Sequence, residues 1–137
     1  MSLVLDCSVA LAWIYSDETT QPVEHVFHLL SRSGAWVPGL WRLEVANVLE
    51  MGVRRNRHDA DFRDKALADL AQMPIQVDPE TDAHAWGRTV RLAERHQLTT
   101  YDAAYLELAM RRNLPLSTLD EDLRSAATAQ RVKLLGR

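Results

Sequence analysis

The sequence lacks the features that mark several large protein classes. Cys7 is the only cysteine among 137 residues, so an intrachain disulfide is impossible and a reducing compartment is expected. A lone thiol reads as a small buried hydrophobe rather than a nucleophile. No run approaches the ~20 apolar residues of a membrane helix, so no membrane association and a cytoplasmic location are expected. The opening Met1-Ser2-Leu3-Val4-Leu5-Asp6 has no basic leader and reaches an acid at once. It reads as a first strand, not a signal peptide. Zinc-type cysteine and histidine spacing is missing, as is a glycine-rich loop for a nucleoside triphosphate. The scattered His25, His28, His58, His84 and His96 are assigned to the surface. Positive charge is not in excess either. The net charge of −3 argues against holding nucleic acid by a broad positive field. It does not exclude a nuclease whose acids gather in one metal site.

What is present is an ordinary globular composition, 47% hydrophobic and 26% charged, in which short apolar runs alternate with amphipathic helical segments. That alternation indicates an α/β domain with a parallel sheet. Strands are expected at residues 3–5, 35–37, 75–77, 114–117 and 132–135. Ser8 is expected to cap a short helix through Tyr15, and Pro22 to open a helix that Gly34 stops. A longer helix from about Leu40 to Arg55 aligns Trp41, Val45, Val48, Leu49 and Gly52. Asp59 caps the next, in which Phe62, Ala66, Leu70 and Met73 align. Asp78-Pro79-Glu80 reads as another helix start, with Ala83, Trp86, Val90 and Ala93 facing inward. A helix from Thr100 carries Tyr101, Tyr105, Leu108 and Ala109 on one face, and Asp120 opens a last one. With no repeat, low-complexity segment or long linker, residues 1–137 read as a single domain.

Four acids fall at equivalent places in this scheme. Asp6 ends the first strand, Asp120 follows a late one, and Glu44 and Asp102 lie in first turns of helices. In open parallel sheets, strand carboxyl ends and helix amino ends converge on one edge, so distance along the chain does not prevent a shared pocket. Clustered carboxylates repel unless protonated or bridged by a cation. A hard divalent ion such as Mg²⁺ or Mn²⁺ suits an all-oxygen site, and it supports phosphodiester hydrolysis. Each acid also has a structural reading, as a strand end, a helix cap or a macrodipole partner. Their joint pattern carries the functional one.

Leu3-Val4-Leu5-Asp6-Cys7-Ser8-Val9, Leu40-Trp41-Arg42-Leu43-Glu44-Val45-Ala46-Asn47, Thr99-Thr100-Tyr101-Asp102-Ala103-Ala104-Tyr105 and Leu116-Ser117-Thr118-Leu119-Asp120 follow one another along the chain. In that order they resemble the acidic motifs of PIN domains, and specifically the VapC-like toxins of toxin–antitoxin pairs. The resemblance spans essentially the whole chain and implies a three-layer α/β/α sandwich with a parallel sheet of about five strands. It implies a metal-dependent endoribonuclease using Mg²⁺ or Mn²⁺, with Asp6, Glu44, Asp102 and Asp120 as catalytic and metal-site residues. Asp6 and Asp102 are expected to touch the ion directly, and Ser8 and Thr118 to orient the carboxylates by hydrogen bonds. The product would carry a 5′-phosphate. An RNA substrate, a cognate VapB-like antitoxin and a homodimer are implied as partners.

The remaining candidates stay open between structural and functional roles. Arg54, Arg55, Arg57, His58, Arg63 and Lys65 form a basic stretch that is either solvated surface or a set of phosphate contacts. Arg54, Arg55 and Arg57 are the RNA-contact candidates. Arg111 and Arg112 read as favourable charges at a helix end. Trp41 and Trp86 read as core or interface residues rather than base-stacking platforms. Asp122 is a possible fifth acid, or an exposed one. The antitoxin tail is expected in an apolar groove between the helices holding Trp41 and Phe62. An aspartyl-phosphate phosphatase would need an acid where Ser8 stands. A nuclease acting on DNA or in RNA processing, and a non-catalytic binding module, remain as alternatives.

Overall fold

The computed structural model describes residues 2–137. Five strands, β1 (Leu3–Leu5), β2 (Ala35–Val37), β3 (Ile75–Val77), β4 (Leu116–Ser117) and β5 (Leu134–Leu135), form one sheet in the order β3-β2-β1-β4-β5. Every pairing is parallel, with Leu3 beside Ala35, Val4 beside Leu116 and Ala35 beside Ile75. Helices flank the sheet, giving the expected α/β sandwich. All three residues of β1 are buried, as a central parallel strand covered on both faces requires. Burying each such side chain contributes about 1.5–3 kcal/mol. The strand order reverses between β1 and β4, so the carboxyl ends of those two strands frame the natural crevice of the sheet.

The helices begin and end for local reasons. Helix α1 spans Cys7–Ile14, α2 Gln21–Ser33, α3 Trp41–Arg54 and α4 Ala60–Ala71. Thr20 caps α2 through Val23 N–H at 3.4 Å, and Asp59 caps α4 through Phe62 N–H at 2.8 Å. Gly34, at φ 77°, ends α2 in a backbone conformation that side chains resist. Helix α7 (Thr100–Arg112) is buried at every residue from Ala103 to Ala109. It packs on β1 and β4 as well as on helices α6 (Val90–His96) and α8 (Glu121–Ala129). Ala103, Ala104 and Ala109 keep it slim enough for those neighbours. Tyr101, expected on its inner face, is instead exposed at the first turn.

Two further expectations fail for identifiable reasons. Ser8 does not cap α1, because that helix starts one residue earlier at Cys7 and Ser8 lies inside it. Trp86 is 96% exposed rather than inward, and Val90 is exposed beside it. Between α5 (Thr81–His84) and α6, residues Ala85–Thr89 form a π-helical turn. Its wider winding shifts the phase of the face, so Thr89, Leu92 and Ala93 point inward instead. Trp86→Ala is therefore expected to leave the unfolding free energy of dilute protein unchanged within about 0.5 kcal/mol, the usual range for surface changes. Trp41→Ala, at a buried position, is expected to cost about 3–5 kcal/mol. Thermal melts of the two variants side by side check this pair.

Asp78-Pro79-Glu80 does lead into a helix, α5 at Thr81, but Asp78 has a further task. It is 2% exposed and joins α7 to the β3–α5 connection. Arg111 grips it through both guanidinium nitrogens at 3.1 and 2.6 Å, and Arg112 donates at 3.0 Å. Thr81 adds a hydroxyl donor at 3.0 Å. Arg111 also reaches the buried Glu107, and Arg112 lies 3.6 Å over the Trp36 ring. The two arginines do sit at a helix end, but their task is to neutralise a buried acid. Burial pushes the Asp78 carboxyl up, yet Arg111, Arg112 and Thr81 outweigh it and hold it at about 2.

Candidate active site

The acids meet at the crevice between β1 and β4. Asp6 directly follows β1, and its backbone N–H bonds Ser117 O at 3.0 Å. Its side chain is buried and organised by two hydroxyls. Ser8 Oγ and Thr118 Oγ1 each donate to Asp6 Oδ2 at 2.7 Å. Both hydroxyls are themselves held: Ser8 Oγ accepts from Leu119 N–H at 3.0 Å, and Thr118 Oγ1 from Asp120 N–H at 3.1 Å. A hydroxyl has one proton to give, so accepting a backbone N–H directs that proton at Asp6. Of the two roles expected for Ser8, it takes the orienting one and not the cap.

The other acids arrive on separate elements. Asp102 lies in the first turn of α7, whose start is capped by Thr99 Oγ1 accepting Asp102 N–H at 3.1 Å. Asp120 caps α8, with Oδ2 accepting Leu123 N–H at 2.8 Å, so it serves as a cap and faces the cleft as well. Glu44, in the first turn of α3, accepts a hydrogen bond from the hydroxyl of Tyr105, a residue with no solvent exposure. Sequence reading treated Tyr105 as core alone. Its position three residues after Asp102 on α7 was the only available signal, since the link to Glu44 spans 61 residues.

Mutual repulsion shows that the four acids share one electrostatic environment. Burial raises the Asp6 carboxyl, with Asp120 adding to the shift and the hydroxyls of Thr118 and Ser8 opposing it. Burial likewise raises Glu44, against the pull of Tyr105 and with the push of Asp6 and Asp102. Asp102 is pushed up to about 6 by burial, then by Asp120 and Asp6, with Thr99 opposing and Asp122 adding the least. Burial and the charges of Asp6, Glu44 and Asp102 lift the Cys7 thiol to about 12. That keeps it protonated and inert, as expected for a thiol without an activating neighbour. Burial, with Asp6 and Glu44, also pushes the Tyr105 phenol far up, so it remains a donor.

A model of the PIN domain matches residues 3–129. The chain belongs to the PIN-domain family. Members of this family are nucleases. Three solved structures share the fold. PAE2754 from Pyrobaculum aerophilum is 24% identical with a TM-score of 0.68, covering 92% of this chain and 79% of its own. VapBC2 from Rickettsia felis, bound to a DNA fragment from their promoter, is 13% identical with a TM-score of 0.67, covering 98% and 97%. FitAcB from Neisseria gonorrhoeae is 16% identical with a TM-score of 0.67, covering 98% and 96%. No curated protein matches the chain.

In this PIN domain the cleft suits a hard cation without forming a closed cage. Among the described residues, no three His, Cys, Asp or Glu side chains are gathered closely enough to enclose an ion. Magnesium is typically held by one or two carboxylates and keeps several waters. An open, all-oxygen cleft whose acids push one another toward protonation therefore fits it well.

The basic stretch is largely spent on ion pairs. Arg54 and Arg63 meet Glu50 at 3.0 and 2.8 Å, Arg57 meets Glu18 at 2.7 Å and Asp17 at 3.1 Å, and Lys65 meets Asp69 at 3.1 Å. Arg55 is the RNA-contact candidate without such a partner among the described residues. His58 is not a free surface residue. Tyr15 Oη lies 2.9 Å from its Nε2, Phe62 packs on its ring, and the missing side chain of Gly52 makes room for it. His96 likewise pairs with Gln130 at 2.9 Å.

Between α3 and α4 runs an apolar groove of about 220 Å³ lined by Trp41, Val45, Leu67, Leu70, Met73 and Ile75. A neighbouring hollow of about 260 Å³ lies between α1 and α4, bordered by Trp13, Ile14 and Phe62. No helix among the described residues is long and apolar enough to cross a membrane.

Proposed function

We propose that this PIN domain is a Mg²⁺- or Mn²⁺-dependent endoribonuclease and the toxin of a VapBC-type pair. One observation carries the reading. Four acids from separate elements act on one another at the sheet's switch point: Asp120 on Asp6, Asp120 and Asp6 on Asp102, and Asp6 and Asp102 on Glu44. Asp6 and Asp102 would hold the ion, with Glu44 and Asp120 contributing directly or through water. The ion would supply charge to offset that building on the phosphate and would favour a water as nucleophile. The protein's own part is positional. Ser8 and Thr118 hold one oxygen of Asp6 and leave the carboxylate a single orientation, Thr99 fixes the turn that presents Asp102, and Tyr105 anchors Glu44. An attack in line on phosphorus, with the 3′-oxygen leaving, yields a 5′-phosphate.

Treating purified protein with excess chelator is expected to abolish cleavage of a labelled RNA, with recovery on adding Mn²⁺ or Mg²⁺. Cutting at full rate in chelator would end the reading. The Tyr105 link offers a second check. Tyr105→Phe keeps the packing and removes only the donor to Glu44, so Mn²⁺ affinity measured by calorimetry is expected to fall about 10-fold to 100-fold, as for lost partners of metal ligands. Adding Glu44→Gln to Tyr105→Phe should cost no more than Glu44→Gln alone. Full additivity of the two changes would show that Tyr105 does not act through Glu44.

The toxin assignment is supported by the whole-length likeness to VapBC2 and FitAcB. We place an antitoxin tail in the α3–α4 groove, with a cation of that tail directed at the acids. Growth arrest on cytoplasmic expression, relieved by Asp6→Asn or by co-expressing a small neighbouring reading frame, tests it. A homodimer is part of the same proposal, and the exposed Trp86 and Val90 supply apolar surface for it.

A further inference from the structure

Seven of the sixteen Lys and Arg side chains have acidic partners among the described residues: Arg54, Arg57, Arg63, Lys65, Arg111, Arg112 and Arg137. Three of the others share one groove. A groove of about 380 Å³ opens where β4 begins, at the edge of the sheet opposite the acids. Arg88, Arg131 and Lys133 line it together with Asn113 and Gln130, and no carboxylate does. All three cations are exposed, and none has an ion pair or hydrogen bond among the described residues. They come from separate segments: the π-helical turn and the α8–β5 connection, facing the α7–β4 connection.

Helix ends offer a structural explanation for some of this charge. Helices α7 and α8 both terminate beside the groove, and each carboxyl end carries about −0.5 of a charge. Two ends therefore account for about −1 against three full positive charges. About two charges are left over, and Arg88 belongs to neither helix. An unbalanced set of exposed cations around a concave surface suits phosphate groups.

We propose that this groove binds the phosphate backbone of RNA and holds a flank of the strand whose scissile bond lies in the acid cleft. Backbone binding by the groove stands alone; its link to a scissile bond rests on the nuclease function proposed for the acid cleft. The acid cleft repels phosphodiesters unless a cation is present, and the basic stretch around Arg57 is neutralised, so strand-holding charge must come from elsewhere. The groove is near enough. The chain from Pro115 beside it to Asp120 in the cleft is five residues, which reach at most about 17 Å when extended.

The test uses the full chain carrying Asp102→Asn, which suppresses cutting, and a fluorescently labelled single-stranded 20-nucleotide RNA. Anisotropy titrations across a series of salt concentrations report the slope of log affinity against log salt. Each phosphate contact on single strands contributes about 0.7 to that slope. Replacing Arg88, Arg131 and Lys133 by Gln together is expected to flatten it by about 2 and to weaken binding at least about tenfold at low salt. Replacing Arg54, Arg55 and Arg57 by Gln should flatten it by no more than about 0.7, the share of Arg55. Arg88→Gln alone, at an exposed site, should flatten it by about 0.7 and guards against misfolding of the triple variant. An unchanged slope in the single and triple groove variants overturns the proposal, as does equally groove-dependent binding of a polyglutamate peptide. A groove-dependent slope in a chain whose parent cuts no RNA would sink the nuclease reading while leaving the groove intact. Efficient cutting with an unchanged slope would do the reverse.

Discussion

Asp102→Asn is expected to lower RNA cleavage at least about 10³-fold while making the metal-free protein more stable. A loss of that size corresponds to about 4 kcal/mol of transition-state stabilisation, a reasonable share for a metal ligand. The stability gain follows from the carboxyl at about 6, above its ordinary 3.8. A raised acid favours its neutral form in the folded state. The penalty for ionising it is absent below about pH 4, grows as pH rises through 6, and is complete above that. The displacement corresponds to about 1–3 kcal/mol, so at pH 7.5 the Asn variant should melt several degrees higher in chelator. At pH 4 the two proteins should melt together. Divalent metal should reverse the order at pH 7.5, because the cation repays the wild-type carboxylate and not the amide. Melting curves at the two pH values, with chelator and with Mn²⁺, give the answer. A destabilised Asn variant in chelator would mean that Asp102 is held by a favourable partner and not by crowding among acids.

Asp78→Ala is expected to cost about 3–5 kcal/mol, as much as emptying the buried Trp41 site, because removing one partner of a buried ion pair usually costs that much. It leaves Arg111 and Arg112 beside each other in an enclosed place with no shared anion. Because Arg111 and Arg112 terminate α7, the loss should also loosen the helix that presents Asp102 and Tyr105, and cleavage should fall along with stability. The pH dependence has the opposite sign to that of Asp102. With the carboxyl held at about 2, its contribution is fully present above about pH 4 and is lost as pH falls through 2. The gap between wild type and Asp78→Ala, measured by urea unfolding, should be widest near neutrality and shrink toward pH 2. A gap that does not narrow in acid would show that the carboxylate is not what holds the arginines.

These two acids illustrate how much the chain disclosed before folding. Asp102 was recognisable because its surroundings are local: Thr99 before it, an aromatic and two alanines around it, and a helix start whose place near the sheet edge follows from topology. Asp78 looked like a helix start for equally local reasons, because the sequence Asp-Pro-Glu favours one. Its partners lie 33 and 34 residues away, and a separation of that kind leaves no trace in composition or period. The ion pairs of the basic stretch were hidden in the same manner. Asp17 and Glu18, which neutralise Arg57, lie on the far side of two helices in sequence.

What can be read along the chain is whatever depends on neighbours within about a turn of helix or a run of strand. The five strands, the caps at Asp59 and Asp120, the stop at Gly34 and the four acids at strand and helix ends all belong to that class. Folding alone decided which face a residue presents after the π-helical turn, which acid was matched to which arginine, and which cations were left without partners. Those outcomes are sums over contacts between distant segments. A single extra backbone residue in one helix turns Trp86 from core to solvent, although no residue near it in sequence announces the change.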